Sequence, residues 1–475
     1  MSRAHTTAAG GGVLGGMAVS NLLSLLDLGA AGIAAQNAGV AVAGNNTANV
    51  NTRGYSRQRV DLHAGLAAPL VGGVRSGSAQ RYQSNLLSAR ERISRGSSGH
   101  SGARASALLD LQSAVVGGGG IEDSIASLWA GLQRVSSMPT DSMVRQAAIN
   151  AASDLAEGIA ERAAAVAQAR ADADARIRDA AEQATALAQQ IADANKAIGT
   201  GGGGGDPVAE DNRDEAARQL SDLVGGEGRI DADGQMRWVL PDGGVLVDGD
   251  QASTLQATPD AATGFNKVEL VTGNQRRDVT ASLDSGSIGG DLSFRDGDAR
   301  QSADQLDQLA FDFTRAVNAV HSANAGEDGV AGRNLFVAQA GVAGAASRMA
   351  VDPALLADPT RLAVAAPGAG IGDNQGVNAL LALSDQKVAS GGTRTLGDAA
   401  IAIGNDLGHA ASEAKSASAR DGEVADHLAS LRDSLSGVDI DEEMSKMVQF
   451  QHASEAMTRF VSTVDGMLGD LLDRL

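Results

Sequence analysis

Twelve positions between Ile159 and Ile198 follow one another at steps of four and three residues without a slip. They are Ile159, Ala163, Val166, Arg170, Ala173, Ile177, Ala180, Ala184, Leu187, Ile191, Ala194 and Ile198, and only Arg170 is polar. A seven-residue repeat of this length draws an apolar stripe along one helix, and that stripe must bury against another. The Ala positions let the partner approach closely. The chain is therefore built around a long rod in a coiled-coil-like bundle.

Both ends repeat the code. Near the start, Leu22 leads into Leu26, Ile33 and Val40, the last three seven residues apart. At the finish, Met447, Phe450, Met457, Val461, Val464, Leu468, Leu471 and Leu475 keep a 3-4 spacing, with Ser454 the one polar position. No catalytic cluster stands between the ends. A chain of this kind is suited to joining other chains.

Composition fits thin, close-packed layers. Hydrophobic residues make up 43% and aromatics 2%, so the cores are aliphatic and Ala-rich. Gly is 60 of 475 residues, nearly twice the usual ~7%. A formal charge of −20 repels phosphate backbones and argues against nucleic acid. The absence of Cys excludes disulfides and thiolate metal sites. Asp27 and Gln36-Asn37 interrupt the apolar stretch over 22–44. The pattern argues against a cleaved signal and against membrane insertion.

Residues 1–16 are Gly-rich and aperiodic and are expected to be disordered. Helical patterning begins at Met17, a candidate start of translation. Ser20 or Asn21 caps a first helix running to about Asn45. The Asn-Thr stretch from Asn45 to Tyr55 ends it, because these side chains compete for backbone hydrogen bonds. Residues 17–65 form this inner helix and turn, with a short extended segment over Ser56–Leu62. Residues 66–224 are the first part of a helical middle domain, broken by Gly117–Gly120, by Met138-Pro139 and by Gly201–Gly205. From 225 to 295 the period becomes two, as in Met236, Trp238 and Leu240. Asp233-Gly234 and Asp242-Gly243 are hairpin-turn dipeptides, so this is a small β outer domain. Residues 296–436 return as helix with short strands near Arg348–Val351 and Arg361–Ala365, and 437–475 form the last inner helix. The fold class is mainly α with a β insertion (α+β). Its parts are a coiled-coil-like inner domain made of the terminal helices, a helical-bundle middle domain and an antiparallel β outer domain. Both termini lie at one end.

At this point particular segments carry a resemblance. Residues 20–62, "SNLLSLLDLGAAGIAAQNAGVAVAGNNTANVNTRGYSRQRVDL", resemble the amino-terminal signature of bacterial flagellar axial proteins. Asn49, Thr52, Gly54 and Tyr55 match the shared turn. Ser56-Arg57-Gln58 points within that group to the hook-associated protein 1 family, the hook–filament junction proteins. Residues 211–225, 286–296 and 437–472 are similar to further segments of the same family, in its order. The chain is short for the group, so an additional outer domain is expected to be missing. The resemblance implies a structural subunit, not an enzyme, without cofactor or metal. It implies export through the flagellar type III channel without a cleaved signal, and an extracellular place in the flagellum. Implied partners are neighbouring copies in a ring, hook protein, the second hook-associated protein on the filament side and an export chaperone. It also makes the Asn-Thr turn a contact with the neighbouring hook, with Tyr55 as aromatic anchor and Arg57 as forked donor.

The carboxy-terminal stripe satisfies either an internal core or an assembly surface. Met444, Val448 and Leu472 beside the seam widen it beyond one partner and favour assembly. The glycine runs lack the Lys-Ser/Thr of a phosphate loop. Asp231-Ala232-Asp233-Gly234 lacks the Glu that completes a calcium loop. The seven His are scattered, with His452 at the rim of the last stripe, and no nucleophile elbow exists. The alternatives are another axial protein such as hook protein, a secreted coiled-coil adhesin or surface-binding module, and a wall hydrolase.

Overall fold

The computed structural model describes residues 11–52, 54–64, 73–117, 119–200 and 206–473, the stretch 11–19 for its backbone alone. Helix α1 (Gly11–Ala48) starts six residues before Met17. Residues 11–16 are thus helical where disorder was expected; residues 1–10 lie outside the described residues. Once a helix has nucleated, each added residue contributes a hydrogen bond, which offsets the ~1 kcal/mol cost of a glycine. Strand β1 (Gln58–Ala64) pairs antiparallel with β2 (Val74–Arg81). This second strand corrects the assignment of 74–81 to a helical domain, while residues 65–72 lie outside the described residues. Its sequence, VRSGSAQR, is exposed or half-buried throughout and carries no apolar alternation to read.

Helix α2 (Asn85–Val116) is capped by Ser84, and α3 (Ile121–Ser137) follows the glycine break. Asp141 accepts the backbone N–H groups of Met143 and Val144 at 2.8 and 3.1 Å. It thereby starts α4 (Ser142–Thr200), 59 residues long, or about 90 Å at 1.5 Å per residue. Ile159, Val166, Ala173, Ile177, Ala184, Ile191 and Ile198 are all buried. Arg170, the polar member, donates from Nε to the Arg295 carbonyl at 2.9 Å and lies 4.5 Å from the Phe265 ring centre. The Gly201–Gly205 run is outside the described residues. Asp206 caps α5 (Pro207–Val224).

The β region holds two sheets. One is β3 (Glu227–Ile230), β4 (Met236–Val239), β5 (Val245–Asp248) and β6 (Gln251–Ala252); the other is β7 (Thr254–Pro259), β8 (Asn266–Thr272) and β9 (Gln275–Asp278). Trp238 is fully buried and donates its indole N–H to Gly225 O at 3.2 Å. The Asp231 carboxylate accepts from Asp233 N and Gln235 N, which is turn chemistry. Residues 286–295, read as strand territory, are instead α6 (Gly286–Ser293) and the start of a π-helical turn over Phe294–Asp298. Ile288 and Leu292, one turn apart, are both buried. An added Cβ on Gly290 would collide with His100 O of α2. The glycines that blur the helical pattern are what let this short helix wedge in.

The chain returns through α7 (Ala299–Ser322). The strands expected over 326–375 reduce to isolated bridges, Phe336 with Val351 and Ala325 with Ala365. Asp352-Pro353 and Asp358-Pro359 cap short helical turns instead, among them α8 (Pro353–Ala357). Then come α9 (Gln375–Leu381), α10 (Leu396–Ser436) and α11 (Ile440–Leu472). One core joins α2, α3, the first half of α4, α7, α9 and the first part of α10. A second joins the later half of α4 to α5, α6 and the sheets. Helix α4 runs through both.

Candidate assembly interface at the joined chain ends

Helix α11 begins where Asp439 accepts the N–H groups of Asp441 and Glu442 at 2.9 and 3.2 Å. Acidic residues in its first turn suit the positive end of the helix dipole. It packs along α1, so the two chain ends lie together. The seam is not the one expected. The α1 side is the small-residue row Gly29, Gly32, Ala35, Gly39 and Ala43, all buried. An added Cβ on Gly39 would lie 2.8 Å from the Phe450 ring, one on Gly32 3.2 Å from Met457 Sδ, and one on Gly29 would collide with Val461. Leu22, Leu26, Ile33 and Val40 are half-buried and flank that row. Bulky α11 side chains fit where α1 offers glycine, because helix separation is set by the side chains at the contact. Val464 is buried; Met447, Phe450, Met457, Val461, Leu468 and Leu471 are half-buried. Leu475 lies outside the described residues. Ser454 donates to Asn37 Oδ1 at 3.2 Å across the seam.

The outer side of the pair is mostly polar along its middle, but large apolar side chains stay exposed towards both ends of α11. Met467 and Leu472 are 56% and 58% exposed, and Leu23, Ile440, Met444 and Val448 are exposed as well. Over Ser20–Ala48, α1 is long and apolar enough to cross a membrane by length and composition, despite the polar breaks noted in its sequence.

A polar lock closes the base of the pair. Asn46 is fully buried. Its amide donates to Gln58 O at 2.9 Å and to Glu443 Oε2 at 2.8 Å. Its carbonyl accepts from Gln58 N at 2.9 Å and from the Tyr55 hydroxyl at 2.7 Å. Burial, with Asp211 and Glu443 nearby, pushes the Tyr55 phenol up to about 12. Arg57 forks onto Glu443 and Glu442, its N–H donates to Ser436 O at 2.8 Å, and its carbonyl accepts from Tyr82 N. The hydrogen bond from Arg57, then that from Lys446, pulls Glu442 down to about 2. Behind this, the guanidinium of Arg81 reaches Asp211 at 2.9 Å, Asp214 at 2.7 Å and Glu210 at 3.1 Å. Burial pushes the Asp211 carboxyl up. Burial also opposes charge on Asp214, but Arg213 and Arg81 outweigh it and hold that group down.

Tyr55 and Arg57, expected to face a neighbouring hook, are thus engaged within the chain. Gly54 takes φ +83° and sits against Arg218 and Glu215 of α5, which a side chain would strain. Asn49 donates to Asn45 O at 2.9 Å, and Thr52 to Asn49 Oδ1 at 3.1 Å; Thr52 is exposed and Asn49 half-buried. Asn46, Glu443, Arg81 and the glycine row were not singled out from sequence. The glycine row had a signal, since Gly29, Gly32 and Gly39 keep helical spacing. The lock had none, because its members are nearly 400 residues apart. Among the described residues no group of three or more His, Asp or Glu could hold a metal ion.

A family model described as the flagellar hook-associated protein FlgK helical domain matches residues 109–336. Another, the flagellar basal body rod FlgEFG protein C-terminal segment, matches residues 433–474 and so covers α11. The chain resembles the flagellar hook-associated proteins along most of its length. It is 25% identical to flagellar hook-associated protein 1 of Bacillus subtilis (strain 168), over 93% of this chain and 96% of that one. It is 25% identical to the Escherichia coli (strain K12) member, over 95% and 99%. A solved structure, the flagellar hook junction protein FlgK from Burkholderia pseudomallei, shares the fold with a TM-score of 0.62. It is 17% identical and covers 74% of this chain and 100% of that one.

Proposed function

We propose that this chain is a structural subunit of the bacterial flagellum at the junction between hook and filament, and that it carries no enzymatic activity. The reading rests on the resemblance to the hook-associated proteins, and the observation that carries it is the paired chain ends, with exposed apolar side chains towards both ends of α11. Exposed Met444 and Val448 near the start of α11, and Met467 and Leu472 near its end, are apolar surface that neighbouring copies cover. Each fully buried residue of this kind contributes roughly 1.5–3 kcal/mol, offset by ordering costs of about 1–2 kcal/mol per residue. The net per subunit is small, but a ring multiplies it.

In this account α1 and α11 are the inner assembly elements. Their interface residues are Leu22, Leu26, Ile33 and Val40 on one side and Met447 to Leu475 of the stripe on the other. The turn of Asn49, Thr52, Gly54, Tyr55 and Arg57 sets the angle at which the pair leaves the body. The body is divided as helical layers around residues 225–295. Hook protein lies on one side of the ring and the second hook-associated protein on the other. The chain leaves the cell unfolded through the flagellar export channel, with a chaperone and without a cleaved signal. Electron microscopy of a deletion strain tests the reading. Hooks without filaments, and flagellin lost to the medium, are expected; normal filaments would contradict it.

A further inference from the structure

Past Ala414, α10 buries no apolar side chain for the rest of its length, and Ser436 is its next buried residue. Yet this stretch carries Val424, Leu428, Leu431 and Leu435 at steps of four, three and four. Val424 is 53% exposed, Leu431 and Leu435 are exposed, and Leu428 is half-buried. Helix α10 packs along α2 of its own chain, and the stripe lies beside that contact, on a side of α10 that no helix of the chain covers. The neighbouring α2 has a counterpart. Leu86, Arg90, Ile93 and Ser97 keep the same spacing, all exposed, with Leu86 at 66% and Ile93 at 57%. Its opposite side, including Glu91, Arg92, Ser94 and Gly96, is buried, so this stripe faces away from the body.

The two stripes differ in charge. Arg90 stands between Leu86 and Ile93. Glu423 stands beside Val424. Neither makes an ion pair with another described residue, although Arg432 and Glu91 nearby are paired at 2.8 Å. Two unlike patches on one chain, complementary in charge and both apolar, are the requirement for a head-to-tail contact, the kind that closes rings. Only Gly437-Val438-Asp439 separates the α10 stripe from α11, so the surface continues from the inner helix pair onto the body.

We propose that the α10 stripe (Val424, Leu431, Leu435) of one copy packs against the α2 stripe (Leu86, Ile93) of the next, with Glu423 facing Arg90. This rests on the ring reading above and adds a second, outer band of contact to it. Because the chain has no Cys, introduced thiols report cleanly. A deletion strain would carry Ile93→Cys and Leu431→Cys copies together, or either alone, and intact flagella would be oxidised and run on a non-reducing gel. Mixed flagella are expected to give a covalent dimer at least tenfold above either single variant. No dimer from mixed flagella that have normal filaments would overturn the contact while leaving the junction assignment standing. Dimer from a single variant alone would overturn its head-to-tail sense. In a second arm, Arg90→Glu is expected to lower the filamented fraction several-fold and Glu423→Arg in the same chain to restore it. An undiminished filamented fraction in Arg90→Glu, or no rescue, would also count against the pairing.

Discussion

Asn46 and Glu443 decide whether the chain ends stay joined. Replacing Asn46 by Ala leaves the Glu443 carboxylate, the Gln58 amide and the Tyr55 hydroxyl short of a partner inside the fold. An unmet buried polar group costs about 1–3 kcal/mol. Asn46→Ala should therefore speed proteolysis of α1 and α11 while the helical body resists as before. Gly39 makes a matching test from the packing side. A Val there would press on the Phe450 ring, and overpacking of this kind costs about 1–3 kcal/mol; the same proteolysis assay should show looser ends. His321 sets a pH limit on the body. It is buried, its Nδ1 pairs with Arg333 O at 2.7 Å, and its Nε2 accepts from Ala363 N at 3.0 Å. Burial pushes its pKa down. As pH falls through about 6.5 the unfolded chain takes up a proton that the folded chain refuses, so stability drops. The denaturant midpoint should fall between pH 7.5 and 5.5 by more in the native protein than in His321→Gln, whose amide can fill both hydrogen-bonding roles. Equal falls would remove His321 as the cause.

Elements with many repeats were legible in the sequence, and elements with few were not. Helix α4 is read off twelve positions because a long stripe admits one period only. Strand β2 and helix α6 were missed: the first has no apolar alternation, and the second has room for only two apolar turns among glycines. The α1–α11 seam was half-legible. The bulky α11 row announces itself, whereas its partner is a row of small residues that leaves no hydrophobic signal, and the eye goes to Leu26, Ile33 and Val40 beside it. The tertiary polar lock depends on a fold-back that no local pattern encodes. At this scale the clasp around Arg295 is a further test. It is nearly buried and reaches Asp174 at 2.6 Å, Asp296 at 2.7 Å and Asn266 O at 2.8 Å. Breaking such a buried pair costs about 3–5 kcal/mol. Arg295→Ala should free the β7–β9 sheet from α4, seen as faster amide exchange in β7 and β8 with α3 and α7 unchanged.

The whole molecule is a rod, α4, shared by two cores, with the two chain ends brought together and apolar side chains left exposed towards both ends of α11. The cores make it stable alone. The uncovered face makes it incomplete alone, since a helix pair with exposed Met444, Val448, Met467 and Leu472 gains stability only when other chains cover it. The most direct measurement is of cells whose only copy carries Met467→Asp with Leu472→Asp, two outward positions away from the internal seam. Electron microscopy should show hooks without filaments, and the secreted variant should keep the native unfolding midpoint of its body. Full-length filaments on these cells would contradict the claim that this face joins the subunits.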